Sequence, residues 1–214
     1  MRVEGYRNRL TADHFELMRI PRRFWGASVS EIEPLTRKVI VSYLRQLDDM
    51  LDRGAGILLW GRNGRGKTSA AVCVAKEARR RGASVLMVTA AALIEAARER
   101  STEDRQLVER VRGVDFLLLD DLDKEYPGDS GYSERFLENL FRERGANRLT
   151  TWITSNAGRD GLIERYKISM MEVLKEMVVP VRMRTGIGEN GDEGENHRDD
   201  EQKKLSDQLL AKVG

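Results

Sequence analysis

The stretch GRNGRGKTSA, at residues 61–70, places three glycines and a lysine within seven positions. It matches the pattern G-x-x-x-x-G-K-[ST], in which Lys67 and Thr68 are the last two positions. In that pattern the glycines let backbone N–H groups turn toward phosphates, the lysine adds charge at the β- and γ-phosphates, and the hydroxyl binds Mg²⁺. We therefore predict a nucleoside triphosphate site formed by Gly61, Arg62, Asn63, Gly64, Arg65, Gly66, Lys67, Thr68 and Ser69.

The context of this loop decides between a phosphate site and a plain glycine-rich turn. An apolar run, GILLW at 56–60, precedes the loop, and an alanine-rich segment typical of a helix follows it. A helix that begins near Lys67 directs its positive dipole end at the same anion. A strand, a glycine loop and a helix in this order favour the phosphate site.

Two adjacent carboxylates follow a second apolar run, LLLDD at 117–121. Beside a phosphate loop, Asp120 can hold Mg²⁺ through its water shell, and Asp121 can polarise or orient the attacking water. Paired acids after a strand can also simply start a turn or cap a helix. The phosphate loop favours the metal and catalytic roles.

A third candidate is Asn156, the last residue of TSN at 154–156. Its neutral amide can hold a water or an oxygen of the γ-phosphate. Asparagine often marks the end of a strand, so the motif alone is weak evidence. Its place at the end of the last strand before the final helix favours a role in catalysis.

The elements that must position these residues alternate along the chain. An amphipathic helix is predicted over 34–53, and apolar strands alternate with helices from there to residue 183. Strands that are apolar throughout predict a mostly parallel sheet with helices on both faces, a doubly wound, three-layer α/β core. The predicted strands are 56–60, 84–90, 115–122, 150–156 and 178–183; the predicted helices are 67–81, 91–100, 103–112, 132–143 and 166–177.

The flanking regions differ from this core, which we place at residues 34–184. Residues 1–33 are predicted to be an irregular N-terminal arm and lead-in. Residues 185–214 are glycine-rich and acidic, with eight acidic residues against four basic ones from residue 187 onward. This tail is predicted to be disordered, and its last segment, KKLSDQLLAKVG, offers either a short partner-binding helix or a frayed end.

Composition excludes several classes of protein. The one cysteine, Cys73, excludes an internal disulfide, and with two distant histidines it cannot build a tetrahedral zinc site. No apolar run reaches the roughly 18–20 residues needed to cross a bilayer. The N-terminal residues MRVEGYRNRL lack the apolar core of a secretory signal, so we expect a cytoplasmic protein without a membrane partner. The net charge of +2 says little about other partners.

Taken together, these motifs resemble the AAA+ ATPases of the DnaC/IstB type, which include replicative helicase loaders and the ATP-binding helper proteins of certain transposons. The resemblance covers roughly residues 18–184. It rests on IPRRFWGASVSEI, GRNGRGKT, VDFLLLDDLDKEY, Arg144 leading to TTWITSN, and KEMVVPVRM. It implies the P-loop NTPase (AAA+/RecA-like) form of the three-layer α/β sandwich. It also implies Mg-ATP as the bound cofactor, with the lead-in residues Phe24 and Trp25 near the adenine.

The resemblance also implies what the protein acts on. It predicts an ATPase of DNA replication that binds a replicative helicase and single-stranded DNA and forms a homo-oligomer on ATP binding. An ATP-binding protein that does not hydrolyse its ligand and a transposition helper ATPase remain alternatives. A small-molecule kinase would need a longer mobile lid than AGRDGLIERYK provides.

Two features depart from the family pattern. Family members often carry an arginine in the helix before the last strand, where it reaches the ATP of a neighbouring subunit. Val173, in MMEVLKEM, occupies the matching position here, and neither Arg165 nor Lys175 fits the register. Only about twenty residues precede the lead-in, where family loaders usually carry a helicase-gripping module.

Clustered arginines offer a surface for single-stranded DNA, which is contacted by basic groups in this family. The alternative is that they lie on solvated helix faces and pair with Glu99, Glu103 and Glu109. The arginines are Arg79, Arg80, Arg81, Arg98, Arg100, Arg105, Arg110 and Arg112.

Overall fold

A computed structural model describes residues 9–99, 101–124 and 131–183 of the chain. The helices are α1 (Ala12–Leu17), α2 (Pro34–Arg45), α3 (Leu47–Arg53), α4 (Lys67–Arg80), α5 (Ala90–Glu99), α6 (Thr102–Gly113), α7 (Tyr132–Ala146) and α8 (Arg159–Met177). The strands are β1 (Gly56–Trp60), β2 (Val85–Thr89), β3 (Phe116–Asp120), β4 (Thr150–Ser155) and β5 (Val178–Arg182). Short 3-10 turns occupy Arg22–Phe24, Val29–Glu31 and Leu122–Lys124.

The five strands form one parallel sheet in the order β2-β3-β4-β1-β5. The strand β4 lies between β1 and β3, because Ile153 is in register with both Leu58 and Leu119. All three strands run in the same direction, so their carboxyl ends meet at one edge of the sheet. The segments that follow them, which carry the candidate residues, are therefore neighbours in space.

Helices cover both faces of the sheet, which confirms the predicted three-layer α/β fold. On β1, Ile57 and Leu59 face a core shared with α2, α3 and α4, whereas Leu58 faces a core shared with α5 to α8. The strand is buried on both sides, as its unbroken apolar sequence predicts.

The predicted helix over 34–53 is divided in two. Glu33 starts α2 by accepting hydrogen bonds from the backbone N–H groups of Leu35 and Thr36. At Gln46, with φ −112° and ψ 21°, the backbone leaves the helical region, and α3 follows at once. The predicted single helix is wrong at this point, because the apolar spacing continues unbroken through the bend. α3 ends at Arg53, and the glycine that caps it, Gly54, has a left-handed φ of +69°.

The N-terminal region is more ordered than the predicted irregular arm. It contains α1 and two 3-10 turns. The carbonyl of Met18 accepts a hydrogen bond from the N–H of Met87, so this segment covers the outer edge of β2. The predicted tail, 185–214, and its terminal helix lie outside the described residues. Among the residues that the structure describes, no helix is long and apolar enough to span a membrane.

Candidate nucleotide-binding site

The loop between β1 and α4 takes a backbone conformation that its glycines make accessible. Gly61, Gly64 and Gly66 have φ angles of +141°, +77° and +78°, a region that other residues rarely adopt. Gly66 is the N-cap of α4 and has no side chain with which to cap the first N–H groups of the helix. Those N–H groups can therefore serve an anion at the helix start.

The entrance to the loop is held tightly between two strands. The N–H of Gly61 donates to the carbonyl of Ser155 at the end of β4. A Cβ on Gly61 would lie 2.5 Å from the carbonyl oxygen of Met183, just after β5. Only glycine fits here, so this first glycine of the motif serves packing as well as loop geometry.

Lys67 is almost fully buried and points back across the loop. Its Nζ donates to the carbonyl oxygens of Gly61 at 2.7 Å and Arg62 at 3.1 Å, and to Oδ1 of Asn156 at 2.9 Å. Burial lowers the pKa of Lys67, and the nearby carboxylate of Asp121 opposes that shift. A buried ammonium that lies against loop carbonyls can transfer its hydrogen bonds to phosphate oxygens.

The predicted metal ligands lie side by side. Oγ1 of Thr68, in the first turn of α4, donates to Oδ1 of Asp120 at 2.9 Å, although the residues are far apart in sequence. Oγ1 of Thr154 donates to the same carboxylate oxygen at 2.6 Å. Burial raises the pKa of Asp120, and these two hydrogen bonds oppose the shift.

This pair of groups fits Mg²⁺. The ion prefers oxygen ligands and is usually held by one or two protein groups together with waters and substrate phosphates. Thr68 and Asp120 supply a hydroxyl and a carboxylate in contact with each other. Within residues 9–99, 101–124 and 131–183, no group of three or more His, Cys, Asp or Glu side chains could hold a metal by itself. A magnesium bound here would share its coordination with phosphates.

Asp121 has a left-handed backbone, with a φ of +54°, which is uncommon for a residue with a Cβ. Its N–H donates to Oγ1 of Thr154 at 2.9 Å, and this bond holds the turn in place. Its carboxylate lies 2.9 Å from Nζ of Lys124 and raises the pKa of that lysine through the hydrogen bond. The second acid of the pair therefore lies beside the site but is engaged by a cation from its own turn.

Asn156 joins the loop to the turn after β3. Its Oδ1 accepts from Lys67, while its backbone N–H and its Nδ2 donate to the two carboxylate oxygens of Asp123, at 2.7 and 3.0 Å. Burial alone would raise the pKa of Asp123, but several hydrogen bonds, the two from Asn156 foremost, together outweigh it and lower that pKa. Sequence reasoning assigned no role to Asp123 or to Thr154, the first residue of TSN. Both lie next to recognised motif residues, but no sequence signal pairs them with their partners.

Phe24 ends the first 3-10 turn and Trp25 follows it directly, and both pack partly buried against the core. The indole of Trp25 stacks on Phe15 with ring centroids 4.9 Å apart, and its Nε1 donates to the carbonyl of Ile20. Lys76 of α4 donates to the carbonyl of Trp25. The lead-in is thus attached to the helix that begins at the phosphate loop, more than two turns beyond its start. The contact of Phe24 and Trp25 with adenine remains a prediction.

Val173 is buried in the core on the α5–α8 face of the sheet. Its side chain therefore does not point toward a neighbouring molecule.

The structure also gives partners for several of the clustered arginines. Arg80 pairs with Glu77, and Arg112 pairs with Glu143. Arg81 pairs with Asp48 as well as with Glu77. These acids differ from the predicted Glu99, Glu103 and Glu109. Arg100 lies outside the described residues.

Together the fold and the site define the class of the protein. A phosphate loop follows β1, and β3, which ends at Asp120 and is followed by Asp121, lies two positions away in the sheet. The strand β4, which Asn156 follows, lies between them. This is the arrangement of a P-loop nucleotide-binding protein of the AAA+ type. Residues 31–157 match the sequence model of the IstB-like ATP binding protein family. That match covers more than half of the chain, and the chain belongs to this family.

Solved structures agree with the fold. The crystal structure of the DnaC helicase loader is similar with a TM-score of 0.66 and 20% identity, over 77% of this chain and 100% of that one. The crystal structure of DnaI has a TM-score of 0.66 and 21% identity, over 78% and 93%. Domain III of the Thermotoga maritima replication initiation protein DnaA has a TM-score of 0.58 and 18% identity, over 72% and 64%. No curated protein sequence matches the chain. The predicted resemblance to the DnaC/IstB type is confirmed.

Proposed function

We propose that this protein binds Mg-ATP at the loop between β1 and α4 and hydrolyses it as a helicase-loader-like ATPase of DNA replication. The observation that carries the proposal is that the phosphate loop, Asp120 and Asn156 meet at one edge of the sheet. Lys67 touches Asn156, and Thr68 touches Asp120. These contacts join the ends of β1, β4 and β3, which the sequence separates widely.

Each residue has a role in this proposal. The loop residues 61–69 bind the phosphates with their N–H groups, and Lys67 moves its hydrogen bonds from the loop carbonyls to the β- and γ-phosphates. Thr68 and Asp120 hold the magnesium ion, which neutralises charge on the phosphates. Asp121 orients the attacking water, and Asn156 contacts either that water or the γ-phosphate.

A second candidate function is ATP binding without efficient hydrolysis. It is favoured by the burial of Val173, since an arginine supplied to a neighbouring active site can accelerate hydrolysis by several orders of magnitude. The ion pair between Asp121 and Lys124 also favours it, because it occupies the carboxylate that would act on water. Under this alternative, ATP would stabilise one conformation that sequesters a partner.

The proposed partners follow from family and fold. We propose a replicative DNA helicase as the protein partner, single-stranded DNA as a second ligand and a homo-oligomer that forms on ATP binding, all in the cytoplasm. ATP would then favour one arrangement of the subunits, and loss of the γ-phosphate would remove that preference. A role as a transposition helper ATPase agrees equally with the IstB-like family.

The test is nucleotide binding and turnover by the wild type and the Lys67→Ala variant. Calorimetry in magnesium buffer should give binding that weakens at least about tenfold in the variant, since Lys67 supplies the buried charge at the phosphates. Lys38→Ala changes an exposed lysine of α2 and should bind ATP as the wild type does. If titration of ATP into the wild-type protein gives no heat of binding, the proposal is refuted.

Multiple-turnover ATPase assays, with and without single-stranded DNA, distinguish the two candidates. Turnover that disappears in Lys67→Ala supports the ATPase. Tight binding without turnover under either condition supports the non-hydrolysing protein. Capture of a replicative helicase by the immobilised wild type, in the presence of ATP, tests the partner.

A further inference from the structure

Every polar group of the Asn156 side chain has a partner, and the partners dictate which way the amide faces. A carboxylate only accepts hydrogen bonds, so the group 3.0 Å from Oδ2 of Asp123 must be the NH₂ of Asn156. An ammonium only donates, so the group 2.9 Å from Nζ of Lys67 must be the carbonyl oxygen. Both neighbours require the same orientation of the amide.

We propose that Asp123 is a positioning residue that fixes Asn156 with its carbonyl oxygen, and not its NH₂ group, facing the nucleotide. This inference rests on the proposed function, since it concerns the same ATP site. Lys67 marks the nucleotide side of Asn156, because it is the residue that reaches for the phosphates. Asn156 would then accept a hydrogen bond from a water beside the γ-phosphate and donate none to the phosphate itself.

The alternative orientation is opposed on both sides of the amide. A flipped Asn156 would place its carbonyl oxygen against the carboxylate of Asp123 and its NH₂ against the ammonium of Lys67. Asp123 cannot easily turn away, because its Oδ1 also accepts the backbone N–H of Asn156 at 2.7 Å. When Lys67 moves to a phosphate, Asp123 alone continues to hold the amide.

This orientation has a consequence for nucleotide selection. A carbonyl oxygen repels the oxygens of a γ-phosphate, so Asn156 should contribute little to the preference for ATP over ADP. An NH₂ group in the same place would donate to the γ-phosphate and favour ATP. The ratio of the dissociation constants for ADP and for a β,γ-methylene analogue of ATP therefore reports which group faces the nucleotide.

The variant Asp123→Asn reverses the orientation without changing the shape of the side chain. Its carbonyl oxygen can still accept the backbone N–H of Asn156, which leaves its NH₂ group facing the Asn156 side chain. That NH₂ needs an acceptor, so Asn156 must present its own carbonyl oxygen and turn its NH₂ toward the nucleotide. We expect the Kd for ADP divided by the Kd for the analogue to rise about tenfold. The NH₂ of Asn156 can donate a hydrogen bond to a γ-phosphate, which only the analogue has.

The ratio isolates this effect from others at the site. In Asp123→Asn the flipped amide no longer binds Lys67, so the lysine is freer to bind phosphates. This should lower the dissociation constants of both nucleotides by a similar factor, which cancels in the ratio. Asp160→Asn is the matched control, since it makes the same charge change at an exposed residue of the first turn of α8. Its ratio should equal that of the wild type. Turnover, where it occurs, should fall about tenfold in Asp123→Asn, because the water loses its acceptor.

Calorimetry with both nucleotides gives results that separate the inference from the proposed function. A ratio in Asp123→Asn that equals or falls below the wild-type ratio overturns the inference while wild-type binding still supports the ATP site. Wild type that binds neither nucleotide refutes the proposed function and the inference with it. If circular dichroism shows that Asp123→Asn is unfolded, Asp123→Ala replaces it. That variant frees the amide to turn and should raise the ratio about threefold; an unchanged ratio would overturn the inference.

Discussion

Thr154 holds both acidic residues at the end of β3, one through its carboxylate and the other through its backbone N–H, and its replacement by valine tests the geometry of the site. Its Oγ1 donates to Asp120 at 2.6 Å and accepts the N–H of Asp121 at 2.9 Å. The side chain is fully buried, so water cannot replace either bond. Thr154→Val preserves the shape of the side chain and removes both hydrogen bonds.

The size of the effect follows from these two bonds. A hydrogen bond to a carboxylate contributes about 1.5–3 kcal/mol, and a buried N–H left without an acceptor costs about 1–3 kcal/mol. A buried methyl group in place of the hydroxyl returns roughly 1 kcal/mol. We expect the free energy of unfolding to fall by about 3 kcal/mol, and Tm by roughly 6–12 °C in a chain of this length.

Urea and thermal unfolding, followed by circular dichroism, measure this change. Thr150→Val is the matched control, because Thr150 is also fully buried in β4, but its Oγ1 lies 3.5 Å from the carbonyl oxygen of Met50. A bond that long contributes little, so the control should lose less than about 1 kcal/mol. Equal losses in the two variants would refute the reasoning.

Thr154→Val should also bind Mg-ATP more weakly than the wild type does. Burial raises the pKa of Asp120, and Thr154 supplies one of the two side-chain hydrogen bonds that oppose the rise. Without it the carboxylate is less readily ionised and a poorer partner for magnesium. Calorimetry at constant magnesium should give a larger Kd for Thr154→Val than for Thr150→Val, and equal values would contradict this role of Thr154.

Two further predictions concern residues that support the site. Arg144 is fully buried and donates to five oxygens around the starts of β3 and β4, so Arg144→Lys should lower the free energy of unfolding by at least about 3 kcal/mol, as measured in urea. Lys76 binds the carbonyls of Trp25 and Ala27, at 2.8 and 2.9 Å. Lys76→Met should therefore loosen the lead-in and accelerate amide exchange at the N–H groups of Trp25 and Ala27 about tenfold, as measured by hydrogen-exchange mass spectrometry.

The variants Arg144→Lys and Lys76→Met each have a matched control. Arg142→Lys changes an arginine of the same helix that is largely exposed and paired with Glu138, and it should cost less than about 1 kcal/mol. Lys38→Met changes an exposed lysine and should leave exchange in the lead-in unchanged. Equal costs in the two arginine variants, or unaltered exchange in Lys76→Met, would show that the named contacts do not stabilise these segments.

Much of the fold and part of the site could be predicted because the relevant information is contiguous in the sequence. The phosphate loop is a single motif, and its glycines have the positive φ angles that the motif requires. The apolar strands predict a sheet covered on both faces. The periodicity failed at Gln46, where α2 ends and α3 begins, because the same apolar face continues through the bend.

The contacts that join the motifs could not be predicted in this way. Thr154 and Asp120 are 34 positions apart, and Asn156 and Asp123 are 33 apart. Nothing in the sequence indicates which acid of the DDLD segment meets which polar residue of β4. Arg144 is similar: the family resemblance includes it, but no sequence pattern predicts that its guanidinium is buried among backbone carbonyls.

The amino-acid sequence by itself determined the phosphate loop, the apolar strands and the identity of the groups able to meet a nucleotide, because glycine freedom, hydrophobicity and side-chain chemistry act locally. Only the tertiary structure decided which of those groups touch. The insertion of β4 between β1 and β3 brings Asn156 to Lys67 and Thr154 to Asp120. Strand order is set by the packing of the whole sheet between its two helical layers, so no single segment of the chain encodes it.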